Sequence, residues 1–326
     1  MLNVMIIPNT GNQRKRMVKV KHLSASKMSC YQACPFKFYL SYVKHEKVPT
    51  SVPLIFGREV HYMLEQFYKV NYKSEESFVN TWRYRWKKVC AGEFGYGKDP
   101  DTDEYEYELA NGDKIEVILS KDIKWTLKKP MIEYFSLKKM GARILSDFYK
   151  KHVDDPKPID IEKRFRMQWK GHTLVGVIDR VDKDLFGQNL VIDYKTDKHP
   201  PTGKAHVLHN APQFTIYSLA FKELYGEDLD AILYYHLRSG KLYKTERYNA
   251  DYEYLQRLCD HISQSIENDI FVPQYGYQCN FCDYRAPCSK YHFGKEGAMQ
   301  IHEEPKNEEV EEWIWPKDQP VTVENA

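Results

Sequence analysis

Length, composition and charge place the chain among globular proteins and say little about its partners. Its 326 residues are 42% hydrophobic and 29% charged, which excludes an intrinsically disordered chain. The formal net charge of +2 gives no overall preference for nucleic acid, so any such affinity must come from a local surface. No apolar run approaches the roughly 18 residues of a membrane-spanning helix, and we expect a cytoplasmic protein without a membrane partner.

Helical patterns dominate the chain after a basic N-terminal extension, residues 1–22. Ser24 and Ser26 are predicted N-caps of a first helix, and Pro35 can open a second. Apolar residues then recur at helical spacing in three longer segments, which are residues 57–68, 78–89 and 132–152. Between the last two, glycine and acidic residues predict a surface loop or acidic insertion at about 91–113.

The apolar period changes to two, the period of β-strands, near residue 159. Three strands separated by turn-prone residues predict an antiparallel meander, at residues 161–168, 173–182 and 190–196. Two more helices, at 212–225 and 252–268, flank a hairpin around Ser239 and Gly240. The remaining residues, 291–326, form an acidic tail that we expect to be flexible.

Two aspartates and a lysine interrupt the apolar strands of this meander. Because strand side chains alternate, Asp193 and Lys195 share one face, roughly 6 to 7 Å apart. Asp179, in the preceding strand, can point into the same space if the two strands pair through a turn near Gly187. Two buried carboxylates repel each other, so a cation must lie between them. From the residues alone, a divalent metal ion and a structural ion pair with Lys195 both remain open.

Motifs in a fixed order along most of the chain carry a resemblance to a known family. They are Leu-Ser-Ala-Ser at 23–26, Tyr-Gln-Ala-Cys-Pro at 31–35, Gly-Arg-Glu-Val-His at 57–61, Gly-Val-Ile-Asp-Arg at 176–180, Ile-Asp-Tyr-Lys-Thr at 192–196, a glutamine and a tyrosine at 213 and 217, and a final cysteine cluster. From about residue 23 to 288 the chain resembles the PD-(D/E)XK nuclease superfamily. It is similar in particular to the RecB and AddB nuclease domains and to the CRISPR-associated RecB-like iron–sulfur exonucleases.

The resemblance implies an active site for metal-dependent phosphodiester hydrolysis. Its Mg²⁺ or Mn²⁺ ligands are His61, Asp179, Asp193 and the backbone carbonyl of Tyr194. Its catalytic residues are Asp179, Asp193, Lys195, Gln213 and Tyr217. Lys195 would orient or deprotonate the attacking water and offset charge on the phosphate, while Gln213 and Tyr217 would position the nucleic-acid strand. Glu162, at the start of the first strand, remains open between a further acidic contributor and a solvated charge.

The cysteines favour metal ligation or burial over disulfides, because there are seven of them in a chain without a recognisable secretory signal. Cys279, Cys282 and Cys288 are separated by two and five residues. The resemblance supplies Cys34 as the fourth ligand and implies a [4Fe–4S] cluster. The alternative is a zinc site in which Cys30 and Cys34 form the second pair and Cys288 is unused.

The fold implied by the resemblance is α/β, with a PD-(D/E)XK, restriction-endonuclease-like core. A mixed, mainly antiparallel central sheet would be flanked by helices, and an iron–sulfur cluster would close a helical and C-terminal lobe. The nuclease domain would span residues 23–290, with its core sheet at about 159–250. The iron–sulfur lobe would combine Cys34 with residues 270–290.

The function implied by the resemblance is a DNA nuclease, and more specifically an exonuclease on single-stranded DNA ends. It would act in recombination, replication, repair or CRISPR adaptation, in a prokaryotic cell or a phage-infected host. The sequence contains no Gly-x4-Gly-Lys-[Ser/Thr] phosphate loop, so a helicase or another recombination or replication protein would supply any unwinding. The alternative is a non-catalytic iron–sulfur or zinc DNA-binding module, or an accessory subunit of a helicase–nuclease complex.

Overall fold

The computed structural model describes four stretches of the chain, residues 20–93, 102–108, 114–201 and 211–291. The chain divides into two compact units, Met1–Tyr284 and Arg285–Ala326. The elements named below belong to the first unit; in the second, residues 285–291 are helical. Most of the predicted basic extension and nearly all of the predicted acidic tail lie outside the described residues, and the domain boundaries stay predictions.

Seven α-helices lie in the described part of the first unit. They are α1 (Ala25–Ala33), α2 (Pro35–Phe38), α3 (Val52–Lys69), α4 (Glu75–Cys90), α5 (Pro130–His152), α6 (Pro212–Tyr225) and α7 (Asn249–Glu267). A π-helical turn, Tyr39–Val43, continues α2, and a 3-10 turn spans Tyr277–Phe281. No described helix combines the length and apolar character needed to cross a membrane.

The start of α1 follows from a capping side chain, and the start of α3 is compatible with a proline in its first turn. Ser24 caps α1, and its Oγ accepts the backbone N–H three residues later at 3.4 Å, which confirms one predicted cap. Ser26 lies inside the helix instead. Helix α3 begins at Val52 rather than at the predicted Gly57. Pro53 is tolerated in the first turn because the N–H groups there have no partner within the helix.

Four short strands precede the central sheet: β1 (Thr50–Ser51), β2 (Thr102–Glu108), β3 (Lys114–Ser120) and β4 (Ile123–Lys124). β1 pairs in parallel with β4, and β2 pairs antiparallel with β3. The prediction of a loop at about 91–113 is therefore wrong where β2 lies. Val117 and Leu119 of β3 are buried in the core, so packing stabilises a hairpin that the acidic composition disfavours.

A five-stranded sheet in the order β5-β6-β7-β8-β9 forms the centre of the unit. Its strands are β5 (Asp160–Trp169), β6 (His172–Lys183), β7 (Asn189–Lys195), β8 (Ala231–His236) and β9 (Lys241–Thr245). All neighbours are antiparallel except β7 and β8, which are parallel and therefore need a crossover connection, here containing α6. The predicted mixed, mainly antiparallel sheet is confirmed.

An aromatic core joins helices α3, α4 and α5 to one face of the sheet. Trp82 and Trp86 of α4 stack with ring centroids 5.3 Å apart, and both are fully buried. From the sheet, the ring of Tyr194 meets Phe148 of α5 edge to face at 5.8 Å. Because side chains alternate along β7, anchoring Tyr194 in this core directs Asp193 to the opposite face.

Candidate active site

Two buried carboxylates meet where the ladder between β6 and β7 ends. The last paired residues of this ladder are Arg180 and Ile192. Beyond them the Asp179 carboxylate replaces a backbone partner, because the N–H of Tyr194 donates to Asp179 Oδ2 at 2.8 Å. Asp193 is completely buried and Asp179 is 7% exposed. The negative charge of Asp179 adds to the effect of burial in raising the pKa of Asp193.

Lys195 links these carboxylates to helix α6. Its Nζ donates to Asp193 Oδ1 at 2.9 Å and lies 2.7 Å from Oδ2. The same nitrogen donates to Gln213 Oε1 at 3.1 Å, and Gln213 Nε2 donates to the Tyr217 hydroxyl at 2.7 Å. Tyr217 is buried, and its hydrogen bond with Gln213 connects it to Lys195 and Asp193. The structure brings these four predicted residues into one hydrogen-bonded chain.

Helix α3 carries His61 to the same carboxylates. His61 Nδ1 lies 3.5 Å from Asp179 Oδ2. One turn earlier, a Cβ on Gly57 would lie 3.1 Å from Thr196 Oγ1, so glycine permits a close approach of α3 to the end of β7. The His61 ring also meets the Tyr194 ring edge to face, with centroids 6.0 Å apart. The Gly-x-x-x-His spacing therefore positions the imidazole beside Asp179.

Burial and neighbouring charges shift the pKa values of this group in different directions. Burial, opposed by Lys195 and reinforced by Asp179, raises the pKa of Asp193 to about 6. Burial also acts to raise the pKa of Asp179, but His61, Lys195 and the N–H of Tyr194 outweigh it and hold that pKa below its ordinary value. Burial acts to lower the pKa of His61, and Asp179 and Asp193 outweigh it, so the pKa is raised.

Glu162 joins this group from β5, although the sequence left its role open. One ligand atom each from His61, Glu162 and Asp179 lie within 4.8 Å of one another, close enough to hold one metal ion together. Glu162 has a φ of 50°, in the left-handed region that side chains rarely adopt. Burial, followed by the charge of Asp179, raises the pKa of Glu162 to about 7. No residue pattern reports a positive φ inside a strand, so the sequence could not place this side chain.

The donors of this site fit a hard divalent cation. Asp193 Oδ2 is buried and accepts no hydrogen bond of normal geometry from the described residues, although Lys195 Nζ lies close to it. Carboxylate oxygens with a single imidazole suit Mg²⁺ or Mn²⁺. A cation would also offset the repulsion between Asp179 and Asp193. The individual ligand roles, including that of the Tyr194 carbonyl, stay predictions.

A group of thiols lies between α1 and the 3-10 turn. The N–H of Gln274 donates to Cys34 Sγ at 3.4 Å, and the Cys279 thiol donates to the carbonyl of Gln274 at 3.8 Å. Burial raises the pKa of Cys30 to about 11 and also raises that of Cys282, and Cys34 adds to both shifts. Four thiols of the first unit, including three of the predicted cluster ligands, therefore gather in one region.

The fourth predicted cluster ligand, Cys288, belongs to the second compact unit. Within the described stretches of the chain, no three thiols lie within 4.8 Å of one another. Thiolates around a single zinc ion are about 4 Å apart, since each lies about 2.3 Å from the metal.

Comparison with known proteins identifies the family. The chain matches a profile described as the PD-(D/E)XK nuclease superfamily over residues 22–289. No curated protein matches it. Among solved structures, it is similar to a protein of Eubacterium rectale provisionally assigned as an exonuclease, with 11% identity over 83% of this chain and 88% of that chain and a TM-score of 0.41. It is also similar to SSO0001, with 12% identity over 48% of this chain and 79% of that chain and a TM-score of 0.30.

The family match covers every residue of the site described above. The predicted α/β fold and the predicted enzyme class, a nuclease, are confirmed, whereas the iron–sulfur lobe is not part of that finding. A profile that spans most of the chain, with the motif residues assembled in one place, leads to one conclusion: the chain belongs to the PD-(D/E)XK nuclease superfamily.

Proposed function

We propose that this nuclease hydrolyses DNA in a Mg²⁺- or Mn²⁺-dependent reaction and acts as an exonuclease on single-stranded ends. The observation that carries the proposal is the convergence of His61, Asp179, Asp193 and Lys195 within hydrogen-bond and ion-pair distances. Two carboxylates, an imidazole and an ammonium are the groups needed to hold a cation beside a phosphodiester. A structural ion pair alone would not require His61 beside Asp179.

The side chains divide the work of hydrolysis between them. A bound divalent cation would polarise the phosphate and lower the pKa of a coordinated water. Burial acts to lower the pKa of Lys195, but Asp193 and Asp179 outweigh it and raise the pKa. Lys195 is therefore an ammonium in the metal-free protein, which suits it to orient water and to offset charge that develops on the phosphate. Removal of a proton by Lys195 is the less favoured of its two predicted roles.

Helix α6 contributes Gln213 to the candidate active site. Its amide is held between Lys195 Nζ and the Tyr217 hydroxyl, which fixes the orientation of the amide group. Because Tyr217 is buried, we assign it the role of a positioning residue and assign contact with the nucleic-acid strand to Gln213. Truncation of Tyr217 should therefore act by releasing Gln213.

The preference for single-stranded ends, and the partners, rest on the resemblance of the motifs to the RecB-like exonucleases. The sequence carries no phosphate loop for a helicase motor. A helicase or another recombination or replication protein is the proposed source of unpaired DNA. Recombination, replication, repair and CRISPR adaptation are processes in which such an enzyme would be used.

We also propose a [4Fe–4S] cluster held by Cys34, Cys279, Cys282 and Cys288. The grouping of the first three thiols in one region supports it. Such a cluster would tie α1 to the chain some 240 residues later, and closing so long a loop lowers the entropy of the unfolded chain. Cys30 would then be a buried thiol rather than a ligand.

The nuclease proposal is tested with DNA labelled at either end, single-stranded, duplex or circular, in Mg²⁺, Mn²⁺ or EDTA. We expect metal-dependent release of short products from linear single strands and none from circles. Asp193→Asn and Lys195→Met should each lower the rate at least about a hundredfold, whereas the exposed Lys183→Met should not. Binding of DNA without cleavage in any metal would favour the DNA-binding module instead.

The cluster is tested on protein purified without oxygen. We expect a brown protein with broad visible absorption and four irons per chain, the content of a [4Fe–4S] cluster. A colourless protein with one zinc per chain would replace the cluster with a Cys₄ zinc site.

A further inference from the structure

A cavity of about 210 Å³ lies between helix α5 and the turn that joins β8 to β9. Three of its lining side chains are cationic, those of Arg143, Lys151 and Arg238, and one is anionic, that of Asp147. Sites for drug-sized ligands begin at roughly 300 Å³, so this cavity suits a smaller group. The excess of cations indicates that the group is an anion.

No carboxylate of the described residues forms an ion pair with any of the three cations. Asp147 lies one helical turn from both Arg143 and Lys151 along α5, yet it pairs with neither. The neighbouring Lys150, in contrast, pairs with Glu75 at 3.2 Å. Three positive charges against one negative charge leave the lining with a net charge of +2.

Arg238 is held beside the cavity although a like charge lies nearby. Its Nε donates to the carbonyl of Thr196 at 2.7 Å, and its guanidinium lies over the Phe56 ring, 5.8 Å from the ring centroid. Burial, together with the charge of Arg143, lowers the pKa of Arg238, although Asp197 acts in the opposite direction. Two solvated arginines would move apart, whereas these contacts keep Arg238 in place, and a bound anion would offset the repulsion.

The cavity adjoins the end of the strand that carries the nuclease centre. Leu237 lines the cavity, and its N–H donates to the carbonyl of Lys195 at 2.9 Å. Tyr235 also lines the cavity, and its ring lies 6.0 Å from that of Tyr194, on the face of the sheet opposite Asp193. A DNA strand that passes over the end of β7 would therefore meet both the centre and the cavity.

Charge and shape favour a phosphate monoester over the phosphodiesters inside a strand. A monoester carries a charge of about −1.5 to −2 at pH 7, which balances the lining, whereas a diester carries only about −1. A monoester has a single attached group and enters a recess end-on, whereas a continuous strand must leave it again. Arginine also provides several N–H donors in a fixed geometry that matches phosphate oxygens.

We propose that this cavity, the α5 pocket, binds a phosphate monoester between Arg143, Lys151 and Arg238. For an enzyme that degrades DNA from its ends, this chemistry occurs at the terminus of a strand and in each released nucleotide. The inference rests on the proposed exonuclease function and adds to it a site for the terminal phosphate, outside all of the sequence motifs described above.

The direct test measures binding in EDTA, so that no strand is cleaved. Single-stranded oligonucleotides with a 5′-phosphate, a 3′-phosphate or only hydroxyl ends are compared by fluorescence anisotropy. Deoxythymidine monophosphate and inorganic phosphate are titrated as free ligands by calorimetry. We expect one phosphorylated oligonucleotide to bind at least about tenfold more tightly than the hydroxyl form.

These measurements distinguish the two sources of the monoester. A preference for one phosphorylated end assigns the α5 pocket to the DNA terminus. Binding of the free ligands without such a preference assigns it to the released nucleotide. If the protein binds neither free ligand and does not distinguish the three oligonucleotides, the inference is wrong.

Two substitutions change the charge of the α5 pocket in opposite directions. Arg143→Met removes a cation whose one hydrogen bond among the described residues, to the Arg238 carbonyl, is long at 3.5 Å, and it should weaken phosphate binding at least about tenfold. Asp147→Asn removes the lining carboxylate and should strengthen binding at least about twofold. The matched control is Arg257→Met on α7, which removes an exposed cation paired with Glu253 and should leave binding unchanged.

Three results with these variants would overturn the inference. They are wild-type phosphate binding in Arg143→Met, weaker binding in Asp147→Asn, and an equal loss in Arg143→Met and Arg257→Met. The first two would show that the charge of the lining does not hold the ligand, and the third would show a general effect of surface charge.

Thermal unfolding separates a ligand-binding residue from a structural one. Arg143→Met should match or exceed the wild-type melting temperature without phosphate, because it removes a repelling charge, and should gain less from added inorganic phosphate. A lower melting temperature with an unchanged gain would reject the proposal. The proposed function fails separately, if the wild-type protein cleaves no DNA in Mg²⁺ or Mn²⁺, because binding to the α5 pocket is measured without metal.

Discussion

Removal of the Lys195 ammonium tests the charge balance of the centre most directly. Lys195 Nζ contacts both oxygens of Asp193, which is completely buried, while the Lys195 side chain is 26% exposed. Lys195→Met keeps the length of the side chain and leaves the Asp193 carboxylate without its cation. Loss of one partner of a buried ion pair costs about 3–5 kcal/mol, and partial access of water to Lys195 places the expected loss near the lower limit, about 3 kcal/mol.

The assay is urea unfolding in EDTA, followed by circular dichroism and repeated with Mn²⁺. The control is Lys183→Met, whose ion pair with Glu227 is exposed on both sides and should contribute at most about 1 kcal/mol. The double variant Asp193→Asn/Lys195→Met removes both charges and should recover most of the loss. Mn²⁺ should also stabilise Lys195→Met, because the cation replaces the missing ammonium beside Asp193.

Two results would refute this reasoning. The first is a loss in Lys195→Met no larger than that in Lys183→Met, because the carboxylate of Asp193 would then be stable in its buried site without a cation. The second is a double variant no more stable than Lys195→Met, because the destabilisation would then come from packing rather than from an unpaired charge.

Three further predictions concern other parts of the molecule. In EDTA the contribution of Asp193 to the free energy of unfolding should fall as pH rises from about 4 to 6, because burial raises its pKa to about 6 and the folded state then binds more protons than the unfolded state. Urea midpoints measured over this pH range should therefore decrease more steeply in the wild type than in Asp193→Asn. Gly141→Ala should destabilise the protein by about 1–3 kcal/mol or more, since the new Cβ would lie 2.1 Å from Trp82, and an unchanged melting temperature would contradict the packing described for α4 and α5. Cys34→Ser should lower the iron content of anaerobically purified protein, and full occupancy would remove Cys34 from the ligand set.

Local sequence was sufficient for the residues of the centre and for the elements that carry them. Alternating apolar residues identified β5, β6 and β7, and the same alternation put Asp193 and Lys195 on one face, where they form an ion pair. The prediction succeeds in β7 because side chains alternate between the two faces of a regular strand, so residues two apart lie on the same face.

Elements that depend on contacts distant in sequence were harder to predict. The acidic composition of residues 102–108 predicted a loop, yet β2 pairs with β3 because β3 buries Val117 and Leu119 in the core. Helix α3 extends five residues before the predicted Gly57, because the first turn accepts Pro53. In both cases the local pattern indicates only an intrinsic preference, and burial of apolar residues in the core, including Val52, Ile55 and Phe56 of α3, outweighs it.

The sequence motifs thus predicted which residues form the centre. The contacts between them and the resulting pKa shifts were determined only by the tertiary structure. The end of the β6–β7 ladder lets Asp179 accept the N–H of Tyr194, and the close approach of α3 at Gly57 brings His61 beside it. Glu162, which has a positive φ within β5, also lies near His61 and Asp179. A pKa or a metal site depends on distances of a few ångströms between groups far apart in the chain, and only packing determines those distances.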